Sequence, residues 1–71
     1  MLRKRSITLS GHATSLALEP EFWAALEAMA LRDGGSLAAL VARIDQSRGQ
    51  RPLASACRVA ALGSLREPPS A

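Results

Sequence analysis

The 71-residue chain has no tyrosine, and only one each of phenylalanine, tryptophan, histidine and cysteine. A single Cys57 rules out an intrachain disulfide framework, and with the lone His12 it cannot supply the four ligands of a structural zinc site. No apolar run approaches the ~20 residues that cross a bilayer, so no membrane partner is expected. After Arg3-Lys4-Arg5 the chain alternates polar and apolar residues, Ser6-Ile7-Thr8-Leu9-Ser10-Gly11-His12, where a signal peptide needs a continuous apolar stretch. A cytoplasmic location with a reduced thiol is the expectation. The chain also lacks a Gly-rich phosphate loop and any Ser, His and Cys pattern that pairs a nucleophile with an oriented base. Glu19, Glu21 and Glu27 read as a solvated face. No enzyme, cofactor or metal is expected.

Hydrophobic residues make up 48% of the chain but aromatics only 3%, because 14 Ala and 11 Leu carry the apolar content. Below about 70–80 residues one core seldom supplies more than ~3–5 kcal/mol. With disulfides and zinc excluded, the remedy left is a second copy of the chain. Charge is unevenly placed. Residues 1–18 hold three basic and no acidic side chains, residues 19–33 hold four acidic ones against Arg32, and residues 34–71 hold five arginines against Asp45 and Glu67. The basic start suits an anionic partner, and equally a solubility role.

Ser6–Leu9 and Ala13–Leu18 alternate at period 2. Ile7 and Leu9 share one face of the first strand, and Leu16 and Leu18 one face of the second. Ser10-Gly11-His12 reads as the turn between them. The alternation leaves open whether the strands pair within one chain or the second pairs with its own copy. Glu19-Pro20-Glu21 then opens a helix, with proline at a position whose N–H has no intrahelical partner and Glu21 favourable to the dipole. Phe22, Leu26, Met29 and Ala30 recur at helical spacing. Phe22 reads as core, while Trp23 reads as packing under the first strand or a third helix. Gly34-Gly35 closes this helix and Ser36 caps the next, in which Leu37, Leu40, Val41 and Ile44 form an amphipathic stripe. After Ser47–Pro52 a third helix is expected from about Pro52 to Arg66. Leu53, Cys57, Ala60, Ala61 and Leu65 form one apolar side, and Val59 and Leu62 another. Glu67-Pro68-Pro69-Ser70-Ala71 cannot continue it.

The order strand, acidic-proline turn, helix, Gly-Gly-Ser, helix resembles the ribbon-helix-helix domain of the Arc and methionine-repressor type. Lys4-Arg5-Ser6-Ile7-Thr8, Gly11-His12, Thr14-Ser15-Leu16 and Leu18-Glu19 are similar to a short bacterial subfamily of that fold. So are Phe22-Trp23, Ser36-Leu37 with Leu40, Ile44-Asp45 with Arg48-Gly49, and Arg58-Val59. The resemblance spans roughly residues 3 to 66. It implies a mainly α fold with a short β-ribbon, an intertwined homodimer to which each chain gives one ribbon strand, and an extra C-terminal helix. The divisions are then residues 1–12 as a basic arm or short strand, 13–49 as the ribbon-helix-helix core, 50–67 as the C-terminal helix, and 68–71 as a tail. The implied dimer core is Leu16, Leu18, Phe22, Leu26, Met29, Leu37, Leu40, Val41 and Ile44.

The resemblance further implies a transcriptional regulator, a repressor of double-stranded DNA type, with its ribbon in the major groove. With Leu16 and Leu18 turned inward, Ala13, Ser15 and Ala17 face the bases. Ala13 and Ala17 depart from the subfamily, where the first is often Arg and the third often Ser. Alanine offers only apolar contact with a thymine methyl. Phosphate contacts are expected from Arg3, Lys4 and Arg5, and from Ser36, Leu37 and Ala38, where a helix N-terminus without acidic residues stays open to an anion. The alternative is a dimeric protein-interaction module, antitoxin- or adaptor-like, using the C-terminal helix to hold a protein partner.

Overall fold

A computed structural model describes residues 1–66. The tail expected over 68–71 lies outside the described residues, as does residue 67. The fold is mainly helical, with a two-stranded antiparallel ribbon and three helices: β1 (Arg3–Leu9), β2 (His12–Leu18), α1 (Pro20–Asp33), α2 (Leu37–Ser47) and α3 (Leu53–Arg66).

The two strands pair with each other within the chain, in the register Arg3–Leu18, Arg5–Leu16, Ile7–Thr14 and Leu9–His12. β1 and β2 thus form a two-stranded antiparallel ribbon within the chain. The turn explains this. Ser10 and Gly11 both take positive φ, 51° and 82°, and two such central residues match the twist of a two-residue hairpin. The boundary expected between residues 12 and 13 falls inside this hairpin, because His12 already belongs to β2.

The inner ribbon face buries Ile7, Leu9, Leu16 and Leu18 against the helices. α1 starts where Pro20 fixes the backbone: the amides of Phe22 and Trp23 both donate to Glu19 O, at 2.9 and 3.1 Å. It ends at Gly34, whose φ of 74° is left-handed, with the Gly35 amide donating back to Ala30 O at 3.1 Å. Ser36 caps α2, its hydroxyl accepting from the Ala39 amide at 3.1 Å. α1 and α2 pack on each other and on α3, while β1 lies against α2 and β2 against α3. A core of thirteen buried apolar residues closes within the single chain, drawing also on Leu26, Leu40, Val41, Ile44 and Cys57.

The buried stripe of α1 differs from the expected one. Trp23, Leu26 and Ala30 are buried, whereas Phe22 and Met29 are half-buried and pack against the core's margin. Trp23 packs under the first strand, as expected: the Arg3 carbonyl accepts from its indole N–H and the Arg5 guanidinium carbon lies 5.0 Å from its ring centre. Leu65, expected on the apolar side of α3, is 78% exposed, and the buried side runs through Ala56, Cys57 and Ala61.

Candidate nucleic-acid interface

Alternation places Lys4, Ser6 and Thr8 of β1 on the face away from the helices, together with Ala13, Ser15 and Ala17 of β2. They pair across the ribbon as Lys4–Ala17, Ser6–Ser15 and Thr8–Ala13. All are exposed except Ala17, which is partly covered. The two-residue turn makes Leu9–His12 a hydrogen-bonded pair, so these three are the close, non-hydrogen-bonded pairs of the ladder. Their backbone N–H and C=O groups point to the ribbon's two outer edges. The face therefore carries three hydroxyls and one ammonium, on strands of seven residues or about 20 Å. A two-stranded ribbon of this size fits the major groove of B-form DNA. No acidic residue occurs in residues 1–18.

Sequence reasoning placed Ala13, Ser15 and Ala17 on an outward ribbon face and did not place Ser6 and Thr8 beside them. The signal was present, since Ile7 and Leu9 turned inward send Ser6 and Thr8 outward. It becomes informative only once the Ser10-Gly11 turn puts both strands on one surface.

The basic triplet is split by the same alternation. Lys4 faces outward, but Arg5 lies on the helix side, its guanidinium carbon 5.0 Å from the Trp23 ring centre and its Nη1 3.4 Å from Glu27 Oε1. The side chain of Arg3 is exposed, and its carbonyl accepts a hydrogen bond of 2.8 Å from Trp23 Nε1. The three side chains thus do not form one cationic arm.

At the start of α2, the Ser36 hydroxyl is occupied with the Ala39 amide and Ser36 O with the Leu40 amide. The Leu37 and Ala38 amides sit in the first turn, where no intrahelical acceptor exists, and no acidic side chain shares that turn. Leu37 is half-buried by its side chain and Ala38 is exposed. Leu40, Val41 and Ile44 point into the core.

The junction between ribbon and helices is held by charge. Arg58 of α3 donates through Nε to Glu19 Oε1 at 3.0 Å and sits 5.8 Å from the Phe22 ring centre. Its own backbone amide and then Arg58 hold the Glu19 carboxyl below the ordinary carboxylate range. Burial pushes the Cys57 thiol up, the behaviour of an inert core cysteine.

The ribbon-helix-helix domain model matches residues 2–65. The chain belongs to the ribbon-helix-helix family. This fold is typical of DNA-binding regulators and antitoxins, and its members are typically non-catalytic and usually dimeric. Neither the curated proteins nor the solved structures contain a match to this ribbon-helix-helix chain. Among the described residues no helix is long and apolar enough to cross a membrane.

Proposed function

We propose that this chain is a DNA-binding transcriptional regulator, a repressor, that sets the outward face of its β1–β2 ribbon into the major groove. The observation that carries the reading is that face: Lys4, Ser6, Thr8 and Ser15 exposed together on a ribbon free of acidic residues. Hydroxyls reach base edges as donors or acceptors, while Ala13, Ala17 and the Thr8 methyl suit thymine methyls. Arg3 and Lys4 lie against phosphates, with the Leu37 and Ala38 amides beside Ser36 as a further phosphate contact. A homodimer belongs to this reading. The family is usually dimeric. Titration of labelled duplex DNA at low and moderate salt tests the reading. Failure to bind any duplex at low salt overturns it.

A second reading is a protein-interaction module on the same scaffold with weak base readout. Two alanines among six outward positions favour it, because neither makes a polar contact to a base.

A further inference from the structure

The solvent side of α3 is not what a surface helix presents. Val59, Leu62 and Leu65 follow one another at i, i+3 and i+6 with exposures of 48%, 53% and 78%, where a helix of a small domain ordinarily turns polar residues outward. α3 also has no acidic residue between Leu53 and Arg66.

Beside this ridge runs a groove. One concavity of about 310 Å³ lies between α2 and α3, with Ile44, Ala56 and Val59 in its wall and Arg48 and Arg51 at its rim. A second of about 390 Å³ lies between the ends of α1 and α3, lined by Met29, Arg32, Asp33 and Gly63. Ala60 lines both, as a wall they share. Ala60 and Gly63 keep the α3 wall low, and a Cβ built on Gly63 meets nothing within 4 Å. No ribbon residue takes part.

The groove's charge decides what fits it. Arg48 is held in place by Asp45 at 2.7 Å and by Arg51 O at 2.8 Å. Arg32 and Arg51 form no ion pair among the described residues, and Asp33 is neutralised by Arg43 at 2.8 Å. Arg48 is balanced by Asp45 in the same way, so the cationic excess of the rim is Arg32 and Arg51, over a floor of Ile44, Ala56 and Val59. Nucleic acid matches the rim but not the floor. A second copy offers these arginines few carboxylates, because Glu19, Glu27, Asp33 and Asp45 each already meet an arginine of their own chain.

We propose that this groove binds an acidic amphipathic helix of a partner protein, its apolar side on Val59, Ala60 and Leu62 and its carboxylates on Arg32 and Arg51. This deepens the second reading above and names the partner's chemistry. It is separable from DNA binding, because the ribbon residues lie outside the groove.

The test is an NMR titration of the full chain with a synthetic helical peptide carrying Leu at i, i+3, i+4 and i+7 and Glu elsewhere, beside a copy with Lys for every Glu. The Glu peptide is expected to shift the amides of Arg51, Val59, Ala60 and Gly63 and to bind more tightly than the Lys peptide. Ala60→Glu should abolish the effect. Arg51→Glu, at an exposed position outside the helices, should weaken binding about fivefold without unfolding the chain. Both variants should keep any duplex DNA affinity of the parent, and Ser6→Ala with Ser15→Ala should leave peptide binding unchanged. No binding, equal binding of the two peptides, or shifts confined to other residues overturns the proposal. So do groove shifts produced by duplex DNA, or by raising the concentration of the chain alone.

Discussion

The indole N–H of Trp23 donates to the carbonyl of Arg3 across 2.8 Å, tying the first residue of β1 to the first turn of α1. Trp23 is 3% exposed, and Arg5 covers its ring. This contact anchors the open end of the ribbon on α1, while the burial of Ile7, Leu9, Leu16 and Leu18 sets which ribbon face is left to solvent.

Trp23→Phe removes that donor and leaves a void. The expected loss is about 1–3 kcal/mol of stability, read from urea melts. As the only tryptophan, Trp23 should show blue-shifted emission in the folded state. A variant as stable as the parent contradicts the role given to it.

The hairpin turn makes a sharper test of intrachain pairing. Ser10 stands at φ 51° without being glycine, a conformation that asparagine tolerates better. Ser10→Asn should raise the melting temperature by an amount equivalent to several tenths of a kcal/mol, and Gly11→Val should lower it by more. If neither changes it, β1 and β2 are not joined by this turn in solution.

Glu19 carries a pH dependence. Its carboxyl is held below its ordinary value of 4.5 by its own backbone amide and by Arg58. A depressed folded pKa contributes stability that is present above the unfolded value and is lost as pH falls through the folded one. Glu19→Gln should therefore be less stable than the parent at neutral pH, and the difference should shrink on acidification below about 4.5. A difference that grows in acid contradicts this assignment.

For the basic residues, geometry predicts unequal effects. Lys4→Ala should weaken duplex binding and lower the slope of log K against log salt by about one. Arg5→Ala should leave that slope nearly unchanged while costing stability, because Arg5 is engaged with Trp23 and Glu27. Equal slope changes from both restore the picture of one basic arm.

The strands, α1, α2 and their glycine and serine boundaries were legible because period, proline and capping chemistry are local. Pairing was not. The alternation of Ser6–Leu9 and Ala13–Leu18 is the same whether a strand meets its neighbour or a copy of itself, and only the backbone of Ser10-Gly11 distinguishes the two. Trp23 under the first strand was legible, but the half-burial of Phe22 was not, since adjacent residues on a helix differ by 100° and the ribbon's position selects between them. Ser6 and Thr8 were not placed on the outward face for the same reason, whereas Ala13, Ser15 and Ala17 followed directly from Leu16 and Leu18 turned inward. The exposure of Leu65 depends on the roll of α3, which Ala56 and Ala61 set by packing closely.

The most direct measurement is a titration of the isotopically labelled chain with duplex DNA at low and then moderate salt, observed by NMR. The amides of Lys4, Ser6, Thr8, Ala13, Ser15 and Ala17 should move together, and the affinity should fall linearly on a log–log plot against salt. No binding at low salt, or shifts confined to the helices with the ribbon unmoved, contradicts DNA recognition by this face.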